Sequence, residues 1–337
     1  MSEPIRVLRG RALCPAVCLS VVFLLLIGCV TPSPYGRPGT PVPRLGDEIV
    51  VCGQLVHTGA PVVLWMDPGG YDAYRAECKF TPEREKPSRP VSESPIRYGT
   101  FRRHLPDDVA ERVRTEGWSL PLLQQHVDQF VLHYDACGTS RRCFEVLHDL
   151  RGLSVHFMLD LDGTIYQTLD VKERAWHAGT ANDRSVGIEI ANIGAYGDMR
   201  TLDKWYARDA LGGVHVTLPE SMTVSGIRTP DFVARPARNA VQVGEVNGGW
   251  LYQYDFTDAQ YESLIKLTAT LCRVLPRIKP DYPRDANGRL RTSELTAEEM
   301  AAFSGLLGHL HVTSGKVDPG PAFDWERLLT GTRRLLR

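Results

Sequence analysis

Residues 308–325 read GHLHVTSGKVDPGPAFDW. This stretch sets an imidazole, His309, a lysine, Lys316, and a carboxylate, Asp318, close together in the chain. A second imidazole stands far upstream, where His133 closes the apolar run Phe130-Val131-Leu132. Two histidines and one aspartate can hold a zinc ion and leave its fourth position open to water, which is the catalytic rather than the structural pattern. A histidine at a strand end is more often only a satisfied polar residue. The neighbouring segments therefore decide the reading.

In residues 185–192, SVGIEIAN, Glu189 interrupts an apolar, strand-like run. Its alternation with Val186, Ile188 and Ile190 puts it on the opposite face from those residues. Amide hydrolysis needs such a carboxylate, because the attacking water must lose a proton and the leaving nitrogen must gain one. Lys316 can place positive charge beside a developing oxyanion. His156 precedes Asp162-Gly163, a strong hairpin signal, and reads as a core residue or one that supports a ligand from behind. His177 is expected either to line a substrate cleft or to play a structural part. Asn182 and Arg184 follow in a polar loop, where they can meet sugar or peptide.

Five segments carry a family likeness: FVLHYDA (130–136), SVHFMLDLDGTIYQ (154–167), RAWHAGTANDRSVGIEIAN (174–192), FTDAQYESLIKLTATL (256–271) and the opening stretch. Together and in this order they resemble the AmpD-like N-acetylmuramoyl-L-alanine amidases, within the superfamily of peptidoglycan recognition proteins and phage amidase-lysozymes. The resemblance implies an α/β fold, a central mixed β-sheet flanked by helices, with zinc in an open groove at one edge of the sheet. It implies His133, His309 and Asp318 as zinc ligands, Glu189 as general base and Lys316 as oxyanion stabiliser. His311 stands where the pattern usually has an acidic residue, and the glycine before His309 favours His309 as the ligand. Some relatives have a catalytic tyrosine one position before His156. Val155 stands there instead, which shifts the proton chemistry to Glu189. The expected reaction is hydrolysis of the amide between N-acetylmuramic acid and L-alanine in peptidoglycan or muropeptides. The alternatives are a non-catalytic peptidoglycan-binding module and a zinc hydrolase of another wall-peptide amide.

The first 28 residues read as a signal, with Arg6, Arg9 and Arg11 before an apolar run too short for a comfortable membrane span. Leu26-Ile27-Gly28-Cys29 is similar to a bacterial lipobox, which implies cleavage before Cys29 and its lipidation. No aspartate follows Cys29, so the expected address is the outer membrane, facing the periplasm. Residues 29–46 then form a proline-rich tether. Cys137 and Cys143 have the spacing and place of a disulfide in peptidoglycan recognition proteins, and the resemblance implies that bond here. Cys52 and Cys78 are a second possible pair, leaving Cys272 as a buried free thiol.

The formal charge of −1 and the lack of a basic patch argue against a nucleic-acid partner. Residues 47–78 read as a small β-rich module, a hairpin whose strands EIVVCGQLV and PVVLWMD flank the turn HTGA. A linker over 79–105 leads to an amidase domain over 106–337. Helical patterns cover 106–116, 142–150, 258–274, 296–306 and 323–336, with Asp258 as the cap of the third. Inserts at 194–255 and 279–306 join segments that carry site residues. The first insert is rich in tyrosine and tryptophan, which can stack on sugars or pack the insert itself.

Overall fold

A computed structural model describes residues 39–80, 96–220, 222 and 224–337. The expected signal, Cys29, the first part of the tether and residues 81–95 of the linker lie outside them. Six strands make the central sheet: β1 (Val62–Leu64), β2 (Gln129–Tyr134), β3 (Phe157–Leu159), β4 (Ile165–Gln167), β5 (Ser185–Ile190) and β6 (Gly305–Gly308). Their spatial order is β6-β2-β5-β3-β4-β1. Strands β6, β2, β5 and β3 run parallel, β4 turns back antiparallel to β3, and β1 is parallel to β4. The sheet is mixed, as the family resemblance implies.

Alternation along the strands divides the sheet into two chemically different faces. Phe130, Leu132, Val186, Ile188, Ile190 and Leu306 all enter one core. There they meet Leu264, Leu267 and Leu271 of helix α1 (Asp258–Val274) and Leu328 and Leu329 of a C-terminal helix, Trp325–Leu336. Each such side chain contributes about 1.5–3 kcal/mol when buried. The intervening residues Val131, His133, Gly187 and Glu189 face the other way. Parallel register sets His133 directly beside Glu189, so one face makes the core while the other presents the chemistry.

Several boundaries differ from the expectations. The N-terminal hairpin lies wholly within EIVVCGQLVH, pairing Glu48–Val51 with Gln54–His57. Its turn residues Cys52 and Gly53 have φ of 49° and 73°, which matches the twist of a two-residue hairpin turn. Freed from that hairpin, Val62–Leu64 becomes β1 at the sheet edge. Helix α1 is capped by Thr257, not Asp258: the Thr257 hydroxyl accepts from the Gln260 amide at 3.1 Å, and the Gln260 side chain answers the Thr257 amide at 2.9 Å. The helix expected over 296–306 covers only Ala297–Ala302, and Gly305–Gly308 is strand β6. A short apolar run buried on both faces has the same sequence pattern in either state. Cys52 is a free thiol, so it forms no pair with Cys78, and the buried Cys272 is free as well.

Arg102 ties the segment before the first long helix to the sheet. It is 2% exposed. Its guanidinium donates to the carbonyls of Asn182, Ser185, Val171 and Glu173 at 2.8–3.1 Å. Burial lowers its pKa to about 10, so it stays charged at neutral pH. An Arg102→Met variant leaves those carbonyls unsatisfied, at about 1–3 kcal/mol each. The expected loss of unfolding free energy exceeds about 3 kcal/mol, measurable by denaturant titration. A loss below 1 kcal/mol would contradict this role.

Candidate active site

His133 and Glu189 each come one residue before the end of their strands, β2 and β5, while His309 follows the last residue of β6. Three adjacent parallel strands thus deliver their side chains at their carboxyl ends, where open α/β sheets bind ligands. Asp318 arrives on the loop after α2 (His309–Val312), and the Leu310 amide fixes its carbonyl at 3.0 Å. Gly308 permits this approach. A Cβ there would stand 2.7 Å from Pro319 Cδ and 3.1 Å from the Asp318 carbonyl oxygen.

His133 Nδ1, His309 Nδ1 and Asp318 Oδ2 converge with separations of 3.1, 2.8 and 3.2 Å. Tetrahedral bonds of about 2.0–2.1 Å to zinc would put neighbouring ligand atoms about 3.3 Å apart, so the donor set fits. The protonation pattern agrees. Burial lowers the His133 pKa to about 4, which keeps the ring neutral with one N–H. His133 Nε2 stands 3.0 Å from His177 Nδ1, and His177 Nε2 stands 3.3 Å from Ser185 Oγ. A cation on His133 Nδ1 would place the protons on both Nε2 atoms, donating in sequence toward Ser185. The His133 Nδ1 lone pair then faces the Asp318 carboxylate, and a cation satisfies both. The two imidazoles hold the Asp318 carboxyl well below the usual carboxylate range, so it is ionised.

His311 belongs to the scaffold. Its Nδ1 accepts from the Gly308 amide at 2.9 Å and its Nε2 donates to the Arg291 carbonyl at 2.6 Å. That leaves no lone pair for a metal, whereas His309 Nδ1 faces His133 and Asp318. His156 is likewise committed, accepting from the Gly187 amide at 3.0 Å and donating to the Glu173 carbonyl at 2.9 Å.

Glu189 shares the cleft with the trio. Burial, together with the charges of Asp318 and Asp135, pushes its pKa well up, with Lys316 opposing. A carboxylate raised in this way is a stronger base once ionised. The Lys316 side chain is exposed on the cleft wall, and its Nζ has no hydrogen bond among the described residues. The cleft has a volume of about 340 Å³ and is bordered by all five residues and by His177.

His177 therefore does two things, lining the cleft and orienting His133 from behind. Gly187 makes room for it, since a Cβ there would come within 2.4 Å of the His177 ring. Outer partners of this kind typically contribute 10–100-fold to metal affinity. His177→Ala is expected to lose affinity in that range, read by chelator competition. Unchanged affinity would contradict the assignment.

Asn182 and Arg184 do not join the cleft. The Asn182 carboxamide accepts from the His177 and Ala178 amides at 3.2 and 2.7 Å, closing the turn. Arg184 forks onto Asp128 at 3.0 and 2.7 Å and onto carbonyls of 300–303. Both lie by the amino end of β5, the wrong end of the strand for the metal trio. Cys137 and Cys143 are free thiols, so the implied disulfide is absent. Both border the cleft.

Asn247 went unrecognised in the sequence reading. It turns the hairpin Gln242–Val246/Gly249–Gln253, and its side chain donates to the carbonyls of Leu310 and Lys316 at 3.1 and 2.7 Å while accepting from the Glu294 amide at 2.9 Å. It braces the loop between His309 and Lys316. The signal was present as Asn247-Gly248, a strong hairpin-turn dipeptide. Within the same insert, Trp205, Tyr206, Tyr252 and Tyr254 pack around Ile193 and Leu202, whereas Trp250 is exposed.

A family model described as N-acetylmuramoyl-L-alanine amidase (Amidase_2) matches residues 123–321. The chain belongs to this family. It is 23% identical over 192 residues to the 1,6-anhydro-N-acetylmuramyl-L-alanine amidase AmpD of Haemophilus influenzae, covering 56% of this chain and 64% of that relative. It is 25% identical over 184 residues to AmpD of Salmonella typhimurium, covering 52% and 54% respectively. The match thus spans about half to two thirds of the length of these relatives. Among solved structures, a selenomethionine AmpD derivative is 20% identical, with 64% of this chain and 87% of that one covered and a TM-score of 0.30. Escherichia coli AmiD in complex with anhydro-N-acetylmuramic acid-L-Ala-D-gamma-Glu-L-Lys is 21% identical, with 61% and 57% covered and a TM-score of 0.35.

Proposed function

We propose that this protein is a zinc-dependent N-acetylmuramoyl-L-alanine amidase that hydrolyses the bond between the lactyl group of N-acetylmuramic acid and L-alanine. The observation that carries the reading is the convergence of His133, His309 and Asp318 beside Glu189 and Lys316, in a chain of this family. The names of the AmpD relatives support muropeptides as substrates.

His133, His309 and Asp318 would hold the metal. Zinc bound there supplies an electrophile for the amide carbonyl and lowers the pKa of water to about 7. Glu189 takes a proton from the attacking water and passes it to the leaving L-alanine nitrogen. Lys316 stands on the cleft wall to balance negative charge on the carbonyl oxygen as the carbon becomes tetrahedral. The expected lipid on Cys29 would tether the enzyme to the outer membrane, with the proline-rich segment reaching toward the wall. Among the described residues no helix is long and apolar enough to cross a membrane.

Product identity tests the reading. Mass spectrometry of digested muropeptides is expected to find a free lactyl carboxyl on muramic acid and a stem peptide beginning at L-alanine. Cleavage within the peptide, with the muramyl amide intact, would overturn it.

A further inference from the structure

The cleft at the metal trio neighbours a second region. Leu153 borders that cleft and also a hollow of about 430 Å³ walled by Phe101, Arg103, Arg174 and Trp176. Arg103, Arg174 and Asn182 in turn border a cavity of about 820 Å³. This cavity lies at the amino ends of β2 and β5, lined there by Asp128, Asp183 and Arg184. From Gln129 to His133, four residues at about 3.3 Å each separate it from the metal trio by roughly 13 Å. A group bound there is distinct from the bond being cut.

Positive charge along this track is only partly compensated. Arg184 and Arg277 share the single carboxylate of Asp128, and Arg174 pairs with Asp183. Arg103 is exposed, and its guanidinium makes no hydrogen bond or ion pair among the described residues; only its backbone amide is engaged, by Asp183. Arg151, on the cleft wall, is equally unpaired. His126 borders the large cavity with a buried Nε2 that has no hydrogen-bond partner among the described residues. Phe101 is 41% exposed and Trp176 half-buried, so ring faces stand beside the guanidinium groups.

We propose that this track is a second binding site, for the carboxylates of a neighbouring acidic stem peptide on the same wall polymer. The proposal rests on the amidase reading for the identity of the polymer. Planar guanidinium groups match carboxylates in a two-bonded geometry, and a cavity of this size holds a peptide fragment. Engaging a second repeat converts binding at the cleft into an intramolecular event, which raises affinity for polymer over single muropeptides.

The test is Arg103→Glu, at an exposed side chain whose change spares the fold, with Arg103→Ala as the milder variant. Cleavage is followed on a soluble wall polymer of several repeats and on single-repeat muropeptides. Charge reversal is expected to raise KM for the polymer about tenfold, equivalent to about 1.4 kcal/mol, with the effect confined to the polymer. Equal polymer KM in variant and parent would overturn the proposal. Sedimentation of the full chain, stripped of metal, with purified sacculi reads binding without cleavage. It is expected to weaken in the variant and after removal of the stem peptides. Binding that survives both changes would overturn the proposal, as would an effect of the variant on anionic phospholipid vesicles alone. If neither substrate is cut, the amidase reading fails and sedimentation alone decides this site.

Discussion

Asp318→Ala is expected to empty the metal site and abolish muropeptide cleavage together. The three ligand atoms lie within about a hydrogen-bond length of one another, so the carboxylate also keeps two facing imidazoles together. Its removal leaves two imidazole nitrogens, which cannot retain a divalent ion against a chelator. The loss should exceed the roughly 100-fold that deleting an outer partner costs. Metal content by mass spectrometry and initial rate, measured on one preparation, check both halves. Full zinc occupancy in an Asp318→Ala protein would show that the ion binds elsewhere.

Glu189→Gln separates the two functions. The substitution keeps the shape of a partly buried side chain beside His133 but removes its ability to take a proton. Metal content should stay at the parent level while kcat falls by about 10²–10⁴. KM should change little, because the proton is moved only in the transition state. A variant that turns over at the parent rate would remove Glu189 from the base role and direct attention to Asp135, a further carboxylate on the cleft wall.

The residues of the site were legible because each sits in an apolar run that fixes its direction. Phe130 and Leu132 must enter the core, so His133 is pinned to the strand end on the face with Val131. Val186, Ile188 and Ile190 do the same for Glu189. What sequence reading could not supply was register between distant segments. Nothing in 185–192 announces that Glu189 will lie directly beside His133, or that Gly187 is the seat of the His177 ring. That Arg184 and Asn182 stand at the amino end of β5, away from the metal trio, was hidden for the same reason: one strand length separates a cleft residue from one at the opposite end of the sheet. Arg102 gave no signal at all, since a buried arginine that bonds only carbonyls has no partner to betray it. The start of the strand Gly305–Gly308 was read as the end of a helix because Leu306 and Leu307 are buried on opposite faces, which erases the two-residue alternation.

The central claim is that one metal held by His133, His309 and Asp318 makes this protein an amidase. The most direct test titrates zinc into chelator-stripped full-length protein while release of stem peptide from muropeptides is followed. The account predicts no release from stripped protein and a rate that rises to a plateau at one equivalent of zinc. Release that persists undiminished after the metal is removed would contradict it.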